Sequence, residues 1–239
     1  MQKDNRPYLI RLLVENFYKF WSKHFLIPQF KSVGKNLDVN KPWNVDVYGN
    51  NISIGENVHI RTSKNLITQI CSWNKNNCDG VIKIGDNVLI SPGVRIISAK
   101  KIIIKSNVMI ASNVYISDSD WHGIYDRVNA PGLSQYITIE ENSWIGEGSK
   151  ISKGVKIGKN SIIGLGSVVT SNVPDNEIFG GNPAKKIGEI DKNKKIRKRE
   201  DLFLNNDYNK LMKFLIKEDL KENNFFAWLR VLFFPKKGD

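Results

Sequence analysis

Histidine, cysteine and methionine are scarce in this chain of 239 residues, which holds three, two and three of them. Cys71 and Cys78 have no second pair elsewhere, so they can build neither a disulfide framework nor a four-thiolate zinc site, and free thiols are expected. Long apolar runs are missing too. No stretch approaches the roughly 20 residues that a membrane-spanning helix needs, and Arg11, Glu15 and Arg230 interrupt the greasiest segments. Arg11 also breaks Tyr8–Val14, with aromatic residues following, so no export signal is read and a cytoplasmic protein is expected. Apolar residues nevertheless make up 41% of the chain, enough to bury a core, which excludes whole-chain disorder.

Acidic residues are in deficit, 24 against 36 basic ones, and the net charge of +12 is unevenly spread. Residues 1–35 carry seven basic and two acidic groups (+5), residues 36–184 fourteen and thirteen (+1), and residues 185–239 fifteen and nine (+6). Nucleic-acid binding would need a basic working surface, and the neutral middle offers none. The chain therefore divides into a helical N-terminal segment (1–32), a central domain (33–187) and a basic helical tail (188–239).

The central domain repeats itself every six residues. Ile54, Ile84, Ile90, Ile104, Ile110, Ile139, Ile145, Ile151, Ile157, Ile163 and Val169 each open a hexad. Three residues after every anchor stands Asn or Gly, the two residues that most readily adopt positive φ, and the next residue is always Val or Ser. A left-handed corner once in six residues fits neither the 3.6 period of a helix nor an alternating hairpin. It reads as a short strand plus a turn, winding into a solenoid that stacks Ile139 over Ile157, Ile145 over Ile163 and Ile151 over Val169 if a coil holds three hexads. Val33, Val39 and Val45 keep the spacing with a corner Asn only after Val33, so the first coil is expected to be an irregular cap. The polar run at 72–77 reads as an excursion, and the stretched spacing from Ile96 to Ile104 as a bulge near Lys100.

The largest interruption is 117–138. It opens with Ser-Asp-Ser-Asp-Trp-His-Gly-Ile-Tyr-Asp-Arg, and His122 falls where the next anchor after Ile116 belongs. His24 lies in the helical start and His59 at a variable hexad position, so only His122 has carboxylates, aromatics and a glycine around it at a repeat break. A capping role and a catalytic one are both open to an isolated histidine. Trp121, Tyr125, Tyr136 and Arg127 supply the stacking and polar groups of a sugar pocket, or wedge the loop onto the coil.

The hexads, together with the string ITIEENSWIGEGSKISKGVKIGKNSIIGLGSVVTSNVPDNEIFGGNPAKKI at 137–187, resemble the hexapeptide-repeat acyltransferases, in particular bacterial sugar O-acetyltransferases of the maltose, galactoside and capsule or colanic-acid type. The resemblance covers roughly residues 36–187 and implies an all-β, left-handed parallel β-helix of triangular section, here with short helical flanks. It also implies acetyl transfer from acetyl-CoA to a sugar hydroxyl, with a cell-surface polysaccharide or its precursor as the expected acceptor, in a homotrimer. His122 would be the general base, with Asp118 or Asp120 orienting it. Trp144 would face the groove with the acceptor residues Trp121, Tyr125 and Arg127. Gly146, Leu165 and Thr170 would follow acetyl-CoA, and Lys185 and Lys186 would reach its phosphates. The γ-class carbonic anhydrases share the coil, but three scattered histidines do not make their zinc site, and no metal is expected. Transfer to a small non-sugar acceptor of the serine or xenobiotic type, or a non-catalytic binding solenoid, are the alternatives. The amphipathic start at Tyr8–Phe25, the basic run Lys192–Arg199 and the apolar stretch Phe225–Phe234 suggest peripheral contact with an anionic membrane.

Overall fold

The computed structural model describes residues 4–74, 78–129, 131–191, 193–204 and 207–236. Residues 75–77 of the polar run and Lys192 of the basic run lie outside the described residues. Three sheets surround one core, and the chain visits them in rotation. The first face stacks Ser32–Val33, Ile52–Ile54, Ile82–Ile84, Ile102–Ile104, Ile137–Ile139 and Lys156–Ile157. The second runs from Asp38–Val39 through His59–Ile60, Leu89–Ile90, Met109–Ile110 and Trp144–Ile145 to Ile162–Ile163. The third holds Val45–Tyr48, Thr68–Ser72, Arg95–Ser98, Tyr115–Ser117, Lys150–Ile151 and Val168–Val169. Neighbours in these stacks pair in parallel, and the ladders place Ile139 beside Ile157, Ile145 beside Ile163 and Ile151 beside Val169, as three hexads per coil require.

The anchors fill the interior. Ile60, Ile90, Ile96, Ile110, Ile116, Ile139, Ile145 and Ile163 are fully buried, and each such side chain contributes about 1.5–3 kcal/mol of apolar burial. Corner geometry follows the Asn/Gly rule at ten of the eleven predicted positions, from Asn57 (φ 54°) to Gly166 (φ 66°). Asn172 is the exception. Four residues after Val169 the chain already bridges Ile157 with Val173, too short a path for a left-handed corner, and Asn172 instead accepts the backbone N–H of Lys156 through Oδ1 (2.8 Å). Residues following the corners are buried, and where they are serine their hydroxyls are satisfied by the next coil: Ser143 donates to the Gly158 carbonyl (2.8 Å) and Ser149 to that of Gly164 (3.0 Å).

The three edges of the prism differ. Between the first and second faces every corner is an asparagine, and side-chain amides run from Asn36 to Asn57 to Asn87 and from Asn142 to Asn160 to Asn176 at 2.9–3.1 Å. Between the second and third faces the corners of the later coils are Gly93, Asn113, Gly148 and Gly166. The third edge, from third face back to first, takes the excursions after Ser72, Ser98 and Ser117.

The first coils depart from the hexad rule in two places. Val33, Val39 and Val45 sit in ladders with Ile54, Ile60 and Thr68, but the first coil is irregular after Val39, where left-handed Lys41 (φ 47°) and a short helical turn, Pro42–Asn44, stand in place of an Asn/Gly corner. Ile70, in a stretch without an Asn/Gly-Val register, is a fully buried anchor paired with Ile96. The hexad is lost there because an enlarged turn, closed by a bridge between Ser63 and Leu66, lengthens the path from Ile60 to Ile70.

Helix α1 (Tyr8–Trp21) continues through a wider turn (Ser22–Leu26) that drives Leu26 and Phe30 into the open end of the core. Trp43 receives the rings of Phe17, Tyr18 and Trp21 at 5.4–6.1 Å. At the other end the strand Glu177–Gly181 extends the second face and folds back on Ala184–Glu189, two residues past the expected boundary. The tail then returns along the asparagine edge as a strap. Lys198 pairs with Glu141 (2.5 Å), Arg199 Nε donates to the Asn87 carbonyl (2.8 Å), and Glu200 exchanges two hydrogen bonds with Asn107. Helices α2 (Asp207–Asp219) and α3 (Phe225–Phe233) follow, the latter capped by Asn224 Oδ1, which accepts the Ala227 N–H.

His59 is the buried pivot of the strap. Its Nδ1 faces the guanidinium groups of Arg61 and Arg199 at 3.3 Å each, and Phe203 packs edge-on against its ring. Burial first, then the Arg61 charge, pushes its pKa down to about 4. Between about 4 and the ordinary 6.5 the unfolded chain binds a proton that the folded one does not, so stability falls as pH falls through this window. We expect a steep loss of thermal stability from pH 6.5 to 4 that becomes shallower in His59→Gln; equal slopes in both proteins would separate His59 from the effect.

Candidate active site

The interruption at the third edge is organised by one buried carboxylate. Asp118 is fully buried; Oδ1 accepts the Ala99 N–H (2.7 Å), and Oδ2 accepts the Ser98 hydroxyl (2.7 Å) and the N–H groups of Lys100 (3.0 Å) and Lys101 (2.6 Å). The bulge near Lys100 lets three successive amides converge on its oxygens. Asp118 therefore builds the platform, and its oxygens have no contact with His122 among the described residues. Asp120 is also engaged elsewhere, in an ion pair with Lys153 (2.7 Å) that ties the loop to the following coil.

From this platform the loop leaves and returns as a narrow ribbon. Asp120 N–H donates to the Leu133 carbonyl (3.1 Å), Gln135 N–H to that of Asp118 (2.9 Å), and the Ser134 hydroxyl to Ser119 Oγ (3.0 Å). Gly132 crosses directly beneath His122: a Cβ there would stand 2.2 Å from the His122 carbonyl oxygen. Trp121 takes φ +65°, costly for a bulky residue, and its indole Nε1 donates to Ser117 Oγ (3.0 Å). His122 emerges at the bend, exposed, with no hydrogen bond or ion pair to its ring among the described residues. A carboxylate near enough to feel its charge is that of Asp126. Hydrogen bonds from the Asn129 side chain and backbone and from Val128 N–H hold Asp126 below the usual carboxylate range, and the nearby imidazole acts in the same direction.

Sequence reasoning did not find the aromatic row below this loop. Trp121 packs against Trp73 (ring centres 5.6 Å), and Trp73 against Tyr48 (5.4 Å). Tyr48 ends its strand on the third face, Trp73 follows the next strand and Trp121 stands four residues past Ser117, so the three meet at one edge only once the coils are stacked. Tyr136 closes the loop with the ammonium groups of Lys100 and Lys101 over its ring at 4.9 and 5.7 Å. Tyr125 and Arg127 are exposed at the tip.

The remaining predicted residues lie elsewhere on the prism. Trp144 projects half-exposed from the second face, between Met109 and Ile162. Gly146 and Leu165 stack at the edge between second and third faces, where a Cβ on Gly146 would stand 2.7 Å from the Leu165 nitrogen. Leu165 itself is 83% exposed, and Thr170 is exposed at the third edge. On the terminal hairpin Lys185 is exposed, whereas Lys186 is paired with Glu177 and Glu189, which raise its pKa. One chain thus holds the imidazole on one edge and the Gly146–Leu165 shelf on another, with the third face between them.

Comparison with known proteins identifies relatives of this arrangement. The family described as bacterial transferase hexapeptide (six repeats) matches residues 136–171. The galactoside O-acetyltransferase of Escherichia coli K12 is 34% identical over 165 residues, 67% of this chain and 64% of that enzyme, so the chain spans just under two thirds of that relative. A Dictyostelium discoideum protein provisionally named an acetyltransferase is 35% identical over 163 residues, 67% of this chain and 69% of that one. Among solved structures, an N-acyltransferase from Bacillus cereus in complex with dTDP and 3-hydroxybutyryl-CoA superposes with a TM-score of 0.49 at 21% identity, over 80% of this chain and 96% of that chain.

Replacing Asp118 by Asn removes the charge and turns one acceptor into a donor facing backbone N–H groups. We expect Asp118→Asn to cost about 2–3 kcal/mol of stability and to speed amide hydrogen exchange at residues 99–101. Unchanged melting and unchanged exchange there would contradict the role given to this carboxylate.

Proposed function

The chain belongs to the hexapeptide-repeat transferases, and we propose that it moves an acetyl group from acetyl-CoA to a hydroxyl of a sugar, with His122 as general base. The observation that carries this reading is the imidazole itself: exposed, without a hydrogen bond or ion pair to its ring among the described residues, and held on a loop that is pinned at both ends. A neutral imidazole, whose unperturbed pKa is about 6.5, is suited to the proton transfer required.

In the proposed step the acceptor oxygen attacks the thioester carbonyl while its proton passes to His122. The tetrahedral oxyanion collapses with cleavage of the carbon–sulfur bond, and the imidazolium returns the proton to the leaving thiolate, giving an acetyl ester and free CoA. Asp126, a carboxylate near enough to His122 to feel its charge, favours the transient imidazolium. Trp121, Tyr125 and Arg127 are assigned to the acceptor, since sugars lay their C–H faces on aromatic rings and offer hydroxyls to charged groups. Within the sugar class we favour a cell-surface polysaccharide or its precursor, acetylated in the cytoplasm, because the loop tip with Tyr125 and Arg127 is exposed at an edge of the prism, where a long acceptor can lie.

We assign acetyl-CoA to Trp144, Gly146, Leu165 and Thr170, with Lys185 as the phosphate contact, because Lys186 is already neutralised by two carboxylates. The coil is taken to be left-handed, in keeping with the family. The separation of His122 from the Gly146–Leu165 shelf supports a homotrimer: a head-to-tail contact that sets one edge of a copy against a different edge of the next closes into a ring.

Two outcomes test this reading. With labelled acetyl-CoA and a panel of sugars and lipid-linked glycans, His122→Ala should lower kcat by about 10²–10⁴-fold while acetyl-CoA binding persists; full activity in the variant with an identified acceptor would remove His122 from the chemistry. Sedimentation at micromolar concentration should give the mass of three chains, and a monomer there would sink the shared site.

A further inference from the structure

Two helices outside the coil carry apolar surface that stays largely exposed, although Phe17 also touches Trp43 and Phe20 stacks on His24. Helix α1 contains no buried residue, and Leu9, Leu13, Phe17 and Phe20, spaced by four, four and three, form one stripe exposed by 72, 64, 48 and 53%. Helix α3 contains none either: eight of its nine residues are apolar, and Phe226 and Phe233 are 81 and 67% exposed. The two are joined at their starts. Asn223, just before α3, donates through Nδ2 to the carbonyls of Asp4 (2.6 Å) and Arg6 (3.0 Å), just before α1. Apolar surface on this scale marks an interaction site.

Charge decides which partner fits. Residues 1–35 hold +5, and residues 207–239, which carry α2 and α3, hold seven basic and five acidic groups (+2), and exposed Lys19 and Lys23 stand on or beside α1. A second copy presenting the same end would bring like charge against it, whereas an anionic leaflet brings the opposite sign. No helix among the described residues is long and apolar enough to cross a membrane, but a short helix with aromatic and aliphatic side chains suits the interface plane. We propose that α1 and α3 together form one docking surface for an anionic phospholipid bilayer. The inference is independent of the acetyl-transfer reading.

The test is flotation of the full chain with vesicles of phosphatidylcholine containing about one third phosphatidylglycerol, against phosphatidylcholine alone. The protein should float with the anionic vesicles and be released when salt is raised about tenfold. Leu9→Gln/Leu13→Gln and Phe226→Gln/Phe233→Gln should each reduce the bound fraction about tenfold or more, with sedimentation mass and circular dichroism unchanged. Hydrogen exchange on the unmodified chain provides a readout that needs no variant, with protection by vesicles expected at residues 8–20 and 225–234. No flotation, variants that float like the parent, protection confined to other segments, or double variants whose only change is a smaller oligomer would each overturn the proposal; the last would assign the surface to a second copy.

Discussion

A left-handed backbone corner every six residues is the constraint from which the rest of this structure follows. Only glycine and asparagine take that conformation cheaply, so the corner dictates residue type, and the fixed interval between corners dictates that an aliphatic side chain points inward once per strand. Stacking then aligns those aliphatics into ladders. The asparagines add what glycine cannot: their side-chain amides link one coil to the next along the edge between the first two faces.

Because that edge and the faces are committed to stacking, irregularity falls on the other two edges: the turns Pro42–Asn44 and Ser63–Leu66 lie between second and third faces of the first coils, and the longer excursions lie between third and first faces. These longer excursions interact with one another rather than with the core. Asp118 in the longest one gathers the amides of the bulge one coil below, Trp121 lies on Trp73 from the coil below that, and Lys153 of the next coil holds Asp120. The loop that carries His122 is long and exposed, yet both of its ends are anchored by buried or paired polar groups. This is how a mobile kind of segment can hold a side chain at a defined place.

Polar burial in this molecule follows the same logic at two distant points. Asp118 stays inside the protein because four donors surround it, and His59 because it remains neutral between two guanidinium groups. An unpaired charge at either place would oppose folding. The strap across the asparagine edge depends on the second arrangement, since Arg199 reaches both His59 and the backbone of the neighbouring coil.

The sequence alone determined the coil, because its rule is local: anchor, corner and filler lie within four residues of one another, and the stacking order follows from counting. It also singled out His122, through the replacement of an anchor by a polar residue. Tertiary structure decided whatever depends on residues brought together from different coils. Asp118 and Asp120 look alike in the sequence as neighbours of His122, but the packing gives one to the Ser98–Lys101 backbone and the other to Lys153. Tyr48 and Trp73 have no motif, and join Trp121 only because the stacked coils bring the three to one edge. Asn172 has the corner residue without the corner, since the coil closes early onto Ile157. Ile70 has the anchor without the hexad, since the turn Ser63–Leu66 enlarges the corner before its strand. A six-residue rule carries no information about contacts made 20 to 50 residues away in sequence, and those contacts built the platform beneath His122.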